Sequence, residues 1–133
     1  MERFTCILIG VVFGVFASAS GAQTKQKPTL FRCPAPPEDE ASMVTLAENL
    51  FDNGIALSKK KRFELALSYF LCSASMVEHV NTTFNIAQAA RFMKNKQQLR
   101  LVFKRFIDKH PQSTTSAALE KLIAIIDKEP SGR

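Results

Sequence analysis

Apolar residues recur every three or four positions along five consecutive stretches of the chain, which is the spacing of one buried face of an α-helix. The predicted helices span, in chain order, residues 38–58, 62–77, 82–94, 96–110 and 113–129. No stretch alternates between apolar and polar residues in the way that a half-buried strand does. The sequence therefore predicts an all-α fold.

Local signals mark where several of these helices begin and end. Pro37 comes directly before three acidic residues at 38–40, and both features favour the first turn of a helix. Asn81 or Thr82 is the predicted N-cap of the third helix. Pro111 ends the fourth helix, since proline cannot continue an α-helical hydrogen-bond ladder.

Three landmark positions recur 33 residues apart, so the chain contains the same helical hairpin twice. Each copy has a residue near the middle of its first helix, a second landmark twelve residues later and a phenylalanine four residues after that. These positions hold Gly54, Ala66 and Phe70 in the first copy and Ala87, Leu99 and Phe103 in the second. A small landmark lets two helices approach closely, and the large aromatic ring fills the space between hairpins.

This pattern resembles the tetratricopeptide repeat (TPR), and the ending at Pro111 resembles TPR hairpins of bacterial envelope proteins. The matching residues are Leu50, Gly54, Leu57, Phe63, Ala66 and Phe70 in the first copy and Ile86, Ala87, Phe103 and Pro111 in the second. The chain departs from the pattern at Glu78, where the first closing proline would stand, and at Leu99, where alanine is usual. The resemblance implies a TPR-like α-α superhelix of two hairpins plus a C-terminal capping helix. It also implies a non-catalytic scaffold or adaptor that binds a protein or peptide.

In TPR proteins the partner usually lies in a concave groove lined by the first helix of each hairpin. Carried over by register, the resemblance implies a lining of Phe51, Asp52, Ile55 and Ser58 from the first copy and Phe84, Asn85, Gln88 and Arg91 from the second. Phe51 and Phe84 would form an apolar shelf. A second interpretation is equally open, in which these two rings only pack against the next helix.

The N-terminal residues predict export. Residues 1–22 have the features of a cleaved signal peptide, with Arg3, an apolar run at 4–16 and small residues before Ala22. An uncleaved membrane anchor is the rival interpretation, but glycine and serine dilute the apolar run. Residues 23–37 form a proline-rich linker, expected to be a free tether. In the alternative, Leu30 and Phe31 dock back on the domain. Residues 38–129 form the helical domain and residues 130–133 a short tail. We expect a periplasmic protein without nucleic-acid partners.

Net charge is +6, which favours anionic partners. The predicted basic patch consists of Lys94, Lys96, Arg100, Lys104 and Arg105. Such a run is often only a solvated surface. In the alternative function, the protein is a structural module whose basic face binds an anionic envelope component, such as phospholipid, lipopolysaccharide or a cell-wall polymer.

Cys33 and Cys72 remain after signal removal, and an oxidising compartment would let them form a disulfide. In the alternative, Cys72 is a small core residue and Cys33 a free thiol. His79 lies seven residues after Cys72, about 10 Å along a helix, so the pair does not suit nucleophilic catalysis. The sequence shows no metal-ligand cluster or phosphate loop, so we expect neither an enzyme nor a cofactor. The uncovered first helix predicts weak self-association.

Overall fold

The protein is described here by a computed structural model that covers residues 31–129, most of which lie in five α-helices. The helices are α1 (Glu40–Lys59), α2 (Phe63–Met76), α3 (Val80–Arg91), α4 (Lys96–Lys109) and α5 (Thr114–Lys128). Residues 31–129 contain no β-strand, so the predicted all-α class is confirmed. The predicted signal peptide, the linker up to residue 30 and the tail at 130–133 lie outside the described residues.

Helix α1 begins two residues later than predicted, because Asp39 is its N-cap. The Asp39 carboxylate accepts a hydrogen bond from the backbone N–H of Ser42 at 2.8 Å. This bond satisfies one of the free N–H groups that every helix start leaves. The same hydrogen bond favours the ionised carboxylate, and so it lowers the pKa of Asp39 below its usual value of 3.8.

The start of α3 corrects the predicted N-cap. His79, rather than Asn81 or Thr82, precedes the helix, and its Nδ1 accepts the backbone N–H of Asn81 at 3.2 Å. Thr82 points into the core and is only 2% exposed. The helix therefore starts two or three residues earlier than propensity alone indicated, because the imidazole ring supplies the acceptor.

Helices α1 and α2 form the first hairpin and approach each other more closely than any other pair in residues 31–129. A Cβ atom placed on Gly54 would lie 2.5 Å from Cε1 of Phe70, so only glycine fits here without a shift. The hydroxyl of Ser73 donates to the carbonyl of Ala47 at 2.8 Å, which adds a buried hydrogen bond between the helices. The close approach predicted at Gly54 is therefore present.

Helices α3 and α4, the predicted second hairpin, have much sparser backbone contact than α1 and α2. Leu99 stands where the first hairpin has Ala66, and the side chains of Ile86, Leu99 and Phe103 are fully buried. A larger side chain therefore stands at the second landmark of the helix pair with the sparser contact. Helix α5 packs along α4 and reaches α3, where the hydroxyl oxygens of Thr83 and Thr115 are 3.2 Å apart.

Helix α5 is also tied to the loop between α2 and α3. One carboxylate oxygen of Glu78 accepts the backbone N–H of Thr114 at 2.7 Å, and the other accepts its hydroxyl at 3.1 Å. A carboxylate at the N-terminus of a helix also interacts favourably with the helix dipole. Glu78, which departs from the repeat pattern, thus joins the end of the chain to the first hairpin.

A single apolar cluster connects α2, α3, α4 and α5. Its buried members are Ala66, Leu67, Phe70, Leu71, Ala74, Ile86, Ala89, Ala90, Met93, Leu99, Phe103, Phe106 and Leu119. Phe70 and Phe103, the equivalent aromatic landmarks of the two copies, are both 0% exposed within it. The two hairpins and α5 therefore share one core.

Residues 31–37 have no regular secondary structure, as the prolines indicated, but they are not a free tether. The ring of Phe31 stacks on that of Tyr69 with centroids 3.9 Å apart. Cys33 forms a disulfide with Cys72 of α2, with Cα atoms 5.4 Å apart. The tether predicted from the sequence is therefore wrong for residues 31–33, which are fixed to the outer side of α2.

Candidate binding cleft

An open cleft of about 390 Å³ lies between α1 and α3. Its lining residues are Val44, Ala47, Glu48, Phe51 and Asp52 of α1, Ser73 and Val77 at the end of α2, and His79, Asn81 and Thr82 at the start of α3. Ligand sites in proteins commonly have volumes of this order. We call it the α1–α3 cleft.

One face of α1 supplies a continuous wall of the cleft. Val44, Glu48, Phe51 and Asp52 follow one another at intervals that keep them on the same side of a helix. Val44 is 38% exposed, and both carboxylates are exposed. The wall therefore presents apolar side chains and negative charge together.

The two predicted shelf aromatics have different surroundings. The Phe51 ring is partly buried and packs against Phe70, with centroids 5.7 Å apart, while it also lines the cleft. Phe51 therefore both packs against the next helix and lines the cleft, so each of the two interpretations holds in part. Phe84 is 61% exposed, so packing against the next helix does not account for it.

Most polar groups at the base of the cleft already have partners within the protein. The Ser73 hydroxyl bonds to the Ala47 carbonyl, and His79 accepts the Asn81 N–H. Glu48 and Asp52 differ, because neither forms an ion pair with any group in residues 31–129. These two carboxylates are the charged groups that a ligand would meet.

The structure brings together only part of the predicted groove. Phe51 and Asp52 line the α1–α3 cleft, whereas Ile55 is partly buried against the core. On α3, Phe84 lies on the outer face, and Arg91 lines a different cleft.

The structure also shows where the predicted amide groups of α3 lie. Asn85 Nδ2 donates to the carbonyl of Asn81 at 2.8 Å, so one of its donors is already used. Gln88 is partly exposed on the same helix and outside the cleft lining. The predicted site residues of α3 therefore flank the α1–α3 cleft rather than line it.

The sequence reasoning predicted only Phe51 and Asp52 among the ten lining residues and missed the other eight. Val44 and Glu48 continue the face of Phe51 toward the N-terminus of α1, so a longer helical register would have found them. Val77 and His79 lie in the loop between the hairpins. Nothing in the local pattern indicated that this loop turns toward α1.

A second cleft of about 160 Å³ opens among α3, α4 and α5. It is lined by Ala87, Ala90, Arg91, Lys96, Leu99, Leu122, Ile125, Ile126 and Glu129. It carries charges of both signs, and Ile125 is 55% exposed at its edge. Arg91 belongs to this cleft, so it does not join Phe51 and Asp52.

The predicted basic patch is divided by its contacts. Arg100 forms an ion pair with Asp127 of α5 at 2.9 Å, and Lys96 Nζ lies 3.5 Å from the carbonyl of Ala90. Lys94, Lys104 and Arg105 remain exposed. A face that binds anions would therefore depend on these three residues.

Other chemistry has little support in residues 31–129. The structure there contains no group of His, Cys, Asp and Glu side chains that could hold a metal ion. Cys72 is a disulfide half rather than a thiol, and the His110 ring packs on Phe106 at 4.8 Å. In the same residues, none of the helices is long and apolar enough to cross a membrane.

Comparison with family models, with curated proteins and with solved structures finds no match to this chain.

Proposed function

We propose that the protein is a non-catalytic adaptor of the bacterial envelope that binds a segment of a partner protein in the α1–α3 cleft. The observation that carries this proposal is the wall of α1, where Val44 and Phe51 remain accessible beside two free carboxylates. The resemblance of the sequence to the TPR supports the proposal, because the first helices of TPR hairpins form the binding face and α1 would be the first of them. The predicted signal peptide supports the envelope location.

The pattern of burial supports a binding face at this place. Large apolar side chains that contribute to stability are enclosed, as Phe70 and Phe103 are, whereas Val80 and Phe84 stay 78% and 61% exposed near the start of α3. Val80 directly precedes the lining residue Asn81, whereas Phe84 lies outside the lining. Contiguous exposed apolar surface is typical of interaction sites. Such surface lowers solubility unless a partner covers it.

A photo-crosslinking amino acid in place of Val44 tests the proposal in the native envelope. We expect discrete protein adducts after irradiation of cells. The control carries the same amino acid in place of Ala124, which is exposed on α5 and lies in neither cleft. Adducts that are equal at both positions, or absent at position 44, would contradict the proposal.

The alternative function has one observation in its favour. Leu101 is 55% exposed on α4 beside exposed Lys104 and Arg105, so an apolar residue and two cations share a surface. We propose as the second candidate that this face holds the protein to an anionic envelope component.

Vesicle binding distinguishes the second candidate from the first. Lys104→Glu with Arg105→Glu should abolish binding to vesicles of anionic phospholipid and leave the Val44 crosslinks unchanged. Arg100 is unsuitable for this test, because its reversal would also break the ion pair with Asp127. Binding to neutral vesicles as strong as to anionic ones would exclude the electrostatic mechanism.

A further inference from the structure

We infer that the α1–α3 cleft selects a peptide segment in which Lys or Arg stands next to a large apolar side chain. This inference rests on the proposed function, since it specifies the ligand of the same cleft. It follows from the charge of the lining, the apolar wall and a hydrogen-bond donor at the α3 side.

The cleft is locally negative in a protein whose net charge is +6. Glu48 and Asp52 lie one helical turn apart on the same wall, and the lining contains no Lys or Arg. Neither carboxylate has a cationic partner in residues 31–129, and such a pair creates a field that attracts a cation and repels an acid. The charge of the cleft is therefore negative, whereas the net charge of the chain is positive.

The apolar wall adds the second requirement. Val44, Phe51 and Val77 offer surface to an apolar side chain, and Lys and Arg can also lay their methylene groups along such surface. Burial of this apolar surface favours binding, and the carboxylates favour a positively charged ligand.

His79 adds a hydrogen-bond donor at the α3 side. Its Nδ1 accepts the N–H of Asn81, so the neutral ring carries its proton on Nε2. That N–H can bond to a peptide carbonyl. An extended segment therefore finds a cation site on one wall and a carbonyl donor on the other.

The chain's own linker has a suitable composition, with Lys25, Lys27 and Leu30 in residues 23–30. Residues 31 and 33 are held on α2 by the Phe31–Tyr69 stack and the disulfide, and neither lines the cleft. We assign the cleft to a segment of a separate protein. If Lys25→Ser with Lys27→Ser made the protein bind an added basic peptide more tightly, the chain's own linker would be the occupant and the inference would be overturned.

Selection from a phage library of random octapeptides tests the inference on the exported protein with its disulfide intact. We expect recovered peptides to be enriched in Lys or Arg adjacent to a large apolar residue. A synthetic recovered peptide should bind about 3- to 10-fold more weakly to the double variant Glu48→Gln and Asp52→Asn, because exposed ion pairs are individually weak. Its affinity for the wild-type protein should also fall as salt is raised.

The matched control is Asp108→Asn with Glu120→Gln, which removes two exposed carboxylates outside the cleft. This control should keep the wild-type affinity. An equal loss in both double variants, or recovered peptides that are neutral or acidic, would overturn the charge inference and leave peptide binding intact. No enrichment together with no Val44 crosslinks would overturn the proposed function as well. If the protein dimerises in sedimentation and the dimer no longer binds the selected peptides, a second copy of the chain is the occupant. That result would also overturn the inference.

Discussion

The two helix pairs that correspond to the predicted repeat, α1 with α2 and α3 with α4, are packed in different ways. In the first, Gly54 and Ala66 bring α1 and α2 together, and the ring of Phe70 lies directly on the glycine. In the second, Leu99 replaces the alanine, and α3 and α4 stay apart around large buried side chains. The first hairpin is stabilised by close backbone approach, whereas the second depends on side-chain volume.

The difference extends to what lies on the outside of each hairpin. A disulfide and the stacked Phe31 hold the N-terminal segment on α2. Helix α5 covers the second hairpin instead. Within residues 31–129 this asymmetry leaves the α1 side uncovered, and the candidate cleft lies there.

Loss of the disulfide should have the largest effect on stability, and it concerns only the first hairpin. The bond closes a loop with a sequence separation of 39. For Cys33→Ser, we expect the free energy of unfolding to fall by about 4 kcal/mol, because the unfolded chain regains that entropy. Urea unfolding with and without reductant measures the change. Reductant should destabilise the wild-type protein alone, and a wild-type protein indifferent to reductant would contradict the prediction.

Leu99→Ala tests whether side-chain volume stabilises the second hairpin. Leu99 is 0% exposed, so its truncation should leave a cavity and cost about 3 kcal/mol. The reciprocal change in the first hairpin, Ala66→Leu, should cost about 1–3 kcal/mol by overpacking. Thermal unfolding of both variants measures the pair. A cost below about 1 kcal/mol for Leu99→Ala would mean that α3 and α4 can close to the spacing of the first hairpin.

Substitutions at the first landmarks, Gly54 and Ala87, should have smaller effects on stability. The effect comes from a steric clash at Gly54 and from helix propensity at Ala87. Gly54→Ala should destabilise the protein by about 1–2 kcal/mol, because the clash with Phe70 outweighs the better helix propensity of alanine. Ala87 lines an open cleft, so Ala87→Gly should cost only the propensity term of about 1 kcal/mol. Denaturant unfolding would refute the comparison if Gly54→Ala proved stabilising.

Glu78→Gln should weaken the link between the first hairpin and α5 by about 1 kcal/mol, since a neutral amide accepts the Thr114 N–H less strongly than a carboxylate does. Glu120→Gln, an exposed change in the middle of α5, is the control and should have almost no effect. Hydrogen exchange in the first turn of α5 localises the change. Equal exchange rates in both variants would show that Glu78 does not hold α5.

The helices could be predicted from the sequence because their apolar faces and proline stops are local signals. The fourth helix was placed well, as Asn95 caps it and Lys109 ends it. Contacts between residues far apart in the sequence could not be predicted from it. The bond from Glu78 to Thr114 spans the second hairpin, and no local pattern indicates it.

The candidate site shows the same limit. Phe51 and Asp52 followed from helical register, but the contribution of Val77 and His79 depends on how the loop between the hairpins turns. The register also placed Arg91 on the groove, whereas α5 packs beside it and creates a second cleft. Helical register therefore predicts which residues of one helix line a cleft. The residues on the opposite side of the cleft depend on how the chain folds.

The helices that begin the two hairpins also differ in their caps, and pH should reveal this difference with the smallest effect of the series. Asp39 caps α1 as a carboxylate, and its hydrogen bond with Ser42 lowers its pKa from 3.8. Because the folded pKa lies below the unfolded one, the stabilisation is fully present above 3.8 and is lost as the pH falls through the lowered folded value.

Asp39→Asn keeps a side-chain acceptor for the cap but cannot titrate. We expect the wild-type protein to be slightly more stable than this variant at pH 7, because the carboxylate also interacts with the positive end of α1. The two melting temperatures should converge as the pH falls below 3.8 and the carboxylate becomes protonated. His79 caps α3 with a ring nitrogen, so the cap of the second hairpin is unaffected by this substitution. A difference in melting temperature that persists at low pH would show that Asp39 acts through something other than its charge.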